Sequence, residues 1–226
     1  MRKTPFVIGE YYHVYNRGVD KRNVFSDRAD LARFFLSMKE FNPLKPIGSI
    51  YERMLEDRNL GENENAKKVR FGHPMSKSEK LVNFVCYCLN PNHYHFILEP
   101  LVDHGIEKFM QRLGNGYTKY FNTRYKRTGV LFQGKFRSIH IDSNEYLLHV
   151  SAYVNLNNKF GKEIPELSKS SWDEYIKNQP KNFCGKDIVL VQFDSPQLYK
   201  EFAESSLEDI LRNKEQDKEL RKLLLE

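Results

Sequence analysis

The 226-residue chain has little cysteine, and only Cys86, Cys88 and Cys184 are present. An odd count this small excludes a disulfide framework and favours a reducing compartment. The sequence also lacks any run of about 18 apolar residues, so no membrane-spanning helix is expected. Its first residues, MRKTPF, do not resemble a secretory signal peptide. A cytoplasmic protein with no membrane partner is therefore predicted.

Acidic residues are missing from one long basic segment, Arg112 to Arg137. The whole chain carries a net charge of +6, whereas this segment alone contains seven basic residues: Arg112, Lys119, Arg124, Lys126, Arg127, Lys135 and Arg137. Aromatic residues are interleaved with them. Cations bind phosphates and aromatic rings stack on unpaired bases, so the segment predicts nucleic-acid binding. The alternative is a basic helix face whose aromatic side chains lie in the core.

The triplet His93-Tyr94-His95 lies in an apolar stretch that is typical of a β-strand. Alternate side chains of a strand share one face, so the two imidazoles point the same way and Tyr94 points into a core. Two imidazoles on one face are suitable ligands for a divalent metal. The alternative is a pair of half-exposed strand histidines beside a hairpin.

A preceding strand from Leu81 to Leu89 forms a hairpin with the histidine strand across Asn90-Pro91-Asn92. A three-residue loop pairs Cys88 with Tyr94 and places both nearby thiols in the core. An even loop places the thiols beside the histidines, where a Cys-x-Cys/His-x-His zinc site becomes an alternative. The apolar character of positions 82, 84, 86 and 88 favours the first arrangement.

A capping-box pattern, Asp142-Ser143-Asn144-Glu145, predicts a helix that extends to about Asn157. His149, Tyr153 and Asn157 are spaced four residues apart and therefore lie on one stripe of this helix. The other patterns predict a strand at 11–17, a helix from about 26 to 41, a helix at 105–125, a strand at 130–141 and an amphipathic helix from Ser206 to the C-terminus.

The ordered motifs of residues 11–160 resemble those of the single-tyrosine HUH transposases of small insertion sequences, including the REP-associated tyrosine transposases. The matching stretches are YHVYNRG at 12–18, CLNPNHYH at 88–95, MQRL at 110–113, YTKYFN at 117–122, GVLFQGKFRS at 129–138, YLL at 146–148 and YVNLN at 153–157. One such motif is a weak signal, whereas the ordered set is specific.

The resemblance implies a role for each matching residue of the site. His93 and His95 match the metal-binding pair, Asn157 matches the third ligand, and Tyr153 matches the nucleophile. Mg²⁺ or Mn²⁺ is the implied cofactor. His149, one helical turn before Tyr153, is expected to lie near the site as a supporting residue.

The implied activity is cleavage and rejoining of single-stranded DNA through a 5′-phosphotyrosine intermediate. The expected partner is single-stranded DNA with a hairpin near the element end, and the expected location is the nucleoid in the cytoplasm. A homodimer is slightly favoured over a monomer. The residues expected to bind DNA are Arg17, Arg112, Lys119, Arg124, Lys126, Arg127, Lys135 and Arg137.

The expected fold class is α+β, with an antiparallel sheet of four or five strands and helices packed mainly on one face, as in a ferredoxin-like HUH domain. Residues 1–160 are expected to form this domain, with 56–80 as an exposed insertion and 161–226 as a partly helical C-terminal extension. Two other functions stay open: a non-catalytic, domesticated protein that binds single-stranded nucleic acid, and a zinc protein that uses Cys86 and Cys88.

Overall fold

The computed structural model describes residues 5–50, 79–159, 165–177 and 183–223. Five strands form one antiparallel sheet with the order β4-β1-β3-β2-β5: β1 (Tyr11–Arg17), β2 (Val82–Asn90), β3 (His93–Pro100), β4 (Arg137–Ile141) and β5 (Lys169–Ser170). The predicted α+β class with an antiparallel sheet is confirmed. None of the helices in these ranges is long and apolar enough to cross a bilayer.

One face of the sheet is covered by helices α1 (Arg28–Glu40) and α2 (Gly105–Arg124). Helix α1 begins as the sequence predicts, because the Asp27 side chain accepts a hydrogen bond from the backbone N–H of Asp30. The apolar stripes of both helices meet the even-numbered side chains of β1 and β3. The resulting core contains Val14, Phe34, Phe96 and Tyr117, all of them buried.

The opposite face is covered by α3 (Asn144–Leu156), α4 (Trp172–Ile176), α5 (Asp187–Leu190) and α6 (Pro196–Leu223). A second core forms there, with Ile97 from the sheet, Val154 from α3, Tyr175 from α4 and Tyr199 from α6. Helices thus cover both faces, whereas the sequence alone places them mainly on one. The sequence analysis predicts only the part of α6 from Ser206 onward, so α4, α5 and the start of α6 are missed.

The segments after residue 165 are part of the same body as the rest of the sheet. Residues 169–170 supply its fifth strand, and α6 packs along α3. Helix α6 begins at Pro196, ten residues before the predicted start, and Ser206 is buried within it. The predicted domain boundary at 160 and most of the 56–80 insertion lie outside the described residues.

Strand β4 is shorter than the predicted span of 130–141, because one glycine with positive φ lies just before that span and another lies in its first half. Gly129 has a φ of +84° and Gly134 a φ of +68°, values that side chains rarely allow. The residues between them form a loop, which touches the sheet through a bridge between Phe132 and Gly18.

The hairpin between β2 and β3 has a two-residue turn, Pro91-Asn92, and this corrects the predicted register. Asn90 pairs with His93, and Cys88 pairs with His95. An irregularity between Phe84 and Cys86 then returns the apolar side chains of β2 to the first core. The thiols therefore lie on the histidine face, contrary to the prediction, although Cys86 and Cys88 are fully buried in the second core.

Helix α2 contains two glycines whose surroundings differ, and this gives a matched pair of stability predictions. A methyl group at Gly114 would meet nothing within 4 Å, whereas one at Gly116 would lie 2.5 Å from the Phe41 ring. Gly114→Ala is expected to stabilise the protein by about 0.5–1 kcal/mol, because alanine is the better helix former. Gly116→Ala is expected to destabilise it by roughly 1–2 kcal/mol, because the buried ring must move.

Chemical denaturation monitored by circular dichroism measures both free energies of unfolding. Equal stabilisation by the two substitutions would show that α2 does not approach Phe41 as closely as described.

Candidate active site

The odd-numbered side chains of β1 share the sheet face of the two histidines. Arg17 pairs with His93, and Tyr15 pairs with His95. On the other side of β1, Tyr15 pairs with Arg137 of β4. Directly paired residues of antiparallel strands project to the same side, so the two imidazoles of β3 are flanked on this face by two arginines.

The orientation of His93 is set by its chain neighbour. The Asn92 side-chain oxygen lies 2.5 Å from Nδ1 of His93. An amide oxygen only accepts hydrogen bonds, so Nδ1 must be the protonated ring nitrogen. In the neutral ring, Nε2 then presents a lone pair, and this atom lies 3.0 Å from Oδ1 of Asn157.

Asn157 reaches the sheet because α3 ends at Leu156 and a single 3₁₀ turn, Asn157–Lys159, follows it. Its side chain is 4% exposed. The buried amide of Asn90 donates a 2.7 Å hydrogen bond to Oδ1 of Asn157, and the same nitrogen lies 3.0 Å from Nε2 of His93. Asn90 therefore holds the Asn157 oxygen towards the histidine.

His95 is held by a residue of the neighbouring strand. Its Nδ1 lies 2.9 Å from Nε2 of His13, and the two rings are stacked with centroids 5.1 Å apart. His13 is buried, and burial lowers its pKa to about 4. His13 is therefore neutral at physiological pH, and a hydrogen bond at this contact places one hydrogen between the two facing nitrogens.

Tyr153 of α3 lies over these imidazoles. Its ring centroid is 5.4 Å from that of His95 and 6.0 Å from that of His13, and both contacts are edge-on. Burial raises the pKa of Tyr153, and a hydrogen bond with the Asn157 side chain opposes that effect. The Tyr153 ring thus lies beside the histidines, and its expected role as nucleophile stays a prediction.

The donor atoms fit a divalent cation. Nε2 of His93 and Oδ1 of Asn157 lie 3.0 Å apart, and the Asn90 amide nitrogen lies within 3.0 Å of both. Neighbouring ligands of an octahedral cation, at bond lengths of roughly 2.1 Å, lie about 3 Å apart. Within the described residues, no three His, Cys, Asp or Glu side chains are grouped to hold a metal, so a site built on the two histidines would need the amide oxygen as its third ligand. The same finding leaves the Cys86/Cys88 zinc alternative without a ligand cluster there.

Comparison with protein families matches residues 63–157 to the family described as transposase, IS200 like. The chain is similar to the IS200-like transposases. The resemblance seen in the motifs is thereby confirmed for a segment that contains His93, His95, Tyr153 and Asn157. The family match also supports a transposase as the general class of the protein.

Other comparisons add less to this assignment. No curated protein matches the chain. One similar solved structure is described as a REP-associated tyrosine transposase bound to a REP hairpin. That likeness covers 81% of this chain and 88% of the other, with 14% identity and a TM-score of 0.42.

His149, the expected supporting residue, contacts the C-terminal helix. Its Nδ1 lies 3.1 Å from the hydroxyl of Ser206, and its ring centroid is 5.2 Å from that of Phe202. These contacts attach α3 to α6. They give His149 a structural role, and its expected effect on Tyr153 stays a prediction.

The eight basic residues expected to bind DNA fall into two groups. Arg17 and Arg137 lie on the histidine face, and Lys135 is exposed just before β4. The other five belong to α2 or directly follow it, and α2 covers the opposite face. Only some of the eight basic residues therefore lie beside the two histidines.

Three of the five arginines and lysines near α2 bind other parts of the chain. Arg112 donates hydrogen bonds to the carbonyl oxygens of Pro43 and Leu44 at 2.6 and 3.2 Å. Arg124 binds the carboxylates of Asp27 and Asp30, and Arg127 binds the side-chain oxygen of Asn122. Lys119 and Lys126 are exposed.

The sequence analysis missed the two asparagines that flank Pro91. They look like ordinary turn residues, yet Asn90 orients Asn157 and Asn92 orients His93. The signal in the sequence that could have identified them was their spacing from the histidines. A two-residue turn brings Asn90 opposite His93, whereas the assumed three-residue loop leaves it outside the strand.

Proposed function

We propose that the protein is a single-strand DNA endonuclease and ligase of the transposase type, in which Tyr153 is the nucleophile. The observation that carries this proposal is the meeting of four groups from distant parts of the chain. The ring centroid of Tyr153 lies 5.4 Å from that of His95, and Oδ1 of Asn157 lies 3.0 Å from Nε2 of His93.

His93 would hold Mg²⁺ or Mn²⁺ through Nε2, and Asn157 would hold it through Oδ1. His95 would contribute the ring nitrogen that does not face His13. When bound, the cation would polarise the scissile phosphate and offset its charge during in-line displacement. A phosphate placed there would also face Arg17 and Arg137, which neutralise negative charge from the adjoining strands.

The chemistry of Tyr153 is a transesterification. Its phenol oxygen attacks the phosphorus and loses its proton to solvent, while the bond from phosphorus to the 3′-oxygen breaks and that oxygen takes up a proton. A 5′-phosphotyrosyl enzyme and a free 3′-hydroxyl result. Attack by a 3′-hydroxyl reverses the step, so rejoining requires no external energy source.

Single-stranded DNA with a hairpin near the element end is the proposed partner. Arg17 and Arg137 lie on the histidine face and Lys135 is exposed just before β4, while exposed Lys119 and Lys126 extend the basic surface. Arg112 and Arg127 hold neutral internal partners and add positive potential, whereas the charge of Arg124 is offset by the carboxylates of Asp27 and Asp30. In the same proposal, a homodimer is favoured over a monomer.

The proposal is tested with end-labelled single-stranded DNA that carries the ends of the host element. Incubation with Mn²⁺ is expected to give a covalent protein–DNA adduct that survives denaturing electrophoresis. Addition of a chelator before the DNA is expected to prevent adduct formation, because the site then lacks its cation.

Tight DNA binding without any adduct, in the presence of either metal, would contradict the enzymatic proposal. It would favour the domesticated, non-catalytic binding protein instead. An adduct that forms equally well after chelation would remove the metal from the mechanism.

A further inference from the structure

The contact between His13 and His95 fixes how many hydrogens lie between the two rings. Nε2 of His13 and Nδ1 of His95 are 2.9 Å apart. A hydrogen bond at this distance needs one N–H and one lone pair, so one of these nitrogens carries the hydrogen and the other does not. The choice between them determines which nitrogen of His95 presents a lone pair elsewhere.

If His13 donated, Nδ1 of a neutral His95 would be the unprotonated nitrogen and Nε2 would carry the hydrogen. His95 could then bind no cation, because its only lone pair would be directed at His13. If His95 donates, its Nδ1 is protonated and Nε2 presents the lone pair. Only the second arrangement is compatible with metal binding by a neutral His95.

We propose that His13 is a positioning residue that accepts the hydrogen bond from Nδ1–H of His95 and thereby holds His95 in the tautomer that binds metal through Nε2. This inference rests on the proposed function, because it takes His95 as a metal ligand. In this proposal His13 acts through His95 and is not itself a metal ligand.

The arrangement around the other histidine is equivalent. Asn92 accepts from Nδ1 of His93, as His13 accepts from Nδ1 of His95. Each ligand is thus held through the same ring atom, by an acceptor that comes from the turn in one case and from β1 in the other. In solution the Nε2–H tautomer of histidine predominates, so both acceptors work against the intrinsic preference of the ring.

The position of His13 is well defined by its surroundings. It is 7% exposed, it pairs with Ile97 and Ile139 of the two adjacent strands, and its ring packs against Tyr15 and Tyr153. An imidazole packed on several sides keeps its ring plane. It is therefore suited to holding the plane of the stacked His95 ring as well.

The first test needs no substitution. Nitrogen-15 NMR of the metal-free, full-length protein at neutral pH distinguishes protonated from unprotonated ring nitrogens, and comparison with the His95→Gln variant assigns the signals. The expected result is a His95 ring protonated at Nδ1 and not at Nε2. A His95 ring protonated at Nε2 alone would overturn the proposal.

The second test measures Mn²⁺ affinity by calorimetry in two variants. His13→Leu removes the acceptor and is expected to weaken Mn²⁺ binding by roughly 10- to 100-fold, the usual effect of losing a partner of a metal-binding histidine. His13→Gln keeps an acceptor oxygen near the position of Nε2 and is expected to stay within a few-fold of the wild type. Thermal unfolding confirms that both variants are folded.

Equal Mn²⁺ affinity in folded His13→Leu and in the wild type would overturn the role of His13 and leave the proposed function intact. Wild-type protein that binds neither Mn²⁺ nor Mg²⁺ would contradict both. Loss of affinity in His13→Leu without recovery in His13→Gln would show that packing, rather than the hydrogen bond, is what His13 contributes.

Discussion

Tyr153→Phe is expected to abolish the covalent protein–DNA adduct, a loss of at least about 1,000-fold in cleavage rate. The substitution removes only the hydroxyl oxygen. The phenyl ring that packs edge-on against His95 and His13 stays in place, so the fold and the ligands of the metal are retained. Mn²⁺ affinity and DNA affinity are therefore expected to change little.

The measurement is adduct formation over time on denaturing gels, with Tyr146→Phe as the matched control. Tyr146 lies on the same helix and is 36% exposed, so its variant removes an identical atom from the solvent-facing surface. Wild-type adduct formation is expected for the control. Adduct that persists in Tyr153→Phe would move the nucleophile to another residue.

Asp30→Asn is expected to destabilise the protein by about 3 kcal/mol, the largest effect foreseen away from the site. The carboxylate is fully buried and binds Arg124 at 2.6 Å. It also accepts hydrogen bonds from the hydroxyls of Tyr120 and Tyr125 at 3.0 and 2.7 Å. An amide offers one acceptor oxygen in place of two and turns an N–H towards these donors.

Urea denaturation of the wild type and the variant measures this loss. Asp20→Asn is the control, because Asp20 is 83% exposed and its contact with Arg22 is 3.7 Å long. Exposed ion pairs contribute little, so a change below about 0.5 kcal/mol is expected. If Asp30→Asn is equally mild, Arg124 does not depend on this carboxylate and its assignment to DNA binding becomes stronger.

The histidine strand was predictable because strand alternation depends only on local sequence. The same rule could not give its register with β2. Asn90-Pro91-Asn92 has the composition of a three-residue loop, yet Asn90 continues the strand and pairs with His93. The irregularity near Phe84 then compensates for the shift. An error of one residue in the turn was enough to place Cys88 on the wrong face.

Partners that are distant in sequence explain the other differences. Arg112 and Arg124 look like DNA-binding residues because the segment around them contains no acid. Their actual partners, the carbonyl oxygens of Pro43 and Leu44 and the carboxylates of Asp27 and Asp30, lie about 70 to 100 residues away. The charge of a segment can be read from the local sequence, whereas the residues that neutralise it in the fold can be distant in sequence.

The positions of Tyr153 and Asn157 relative to the histidines came from the family resemblance and not from periodicity. Helical spacing places the two residues on one stripe, but it cannot say which sheet face that stripe meets. The structure answers this through the second core, in which α3 packs on Ile97 beside His95. The apolar residues that seal this core come from beyond residue 165.

The central claim is that Tyr153 forms the bond with DNA at the site built by His93, His95 and Asn157. The most direct measurement is mass spectrometry of the adduct after nuclease and protease digestion, which identifies the residue that retains a nucleotide. The expected result is a nucleotide remnant on the Tyr153 peptide, linked through its phenol oxygen. A remnant on another residue, such as Tyr15 or Tyr146, would contradict the claim.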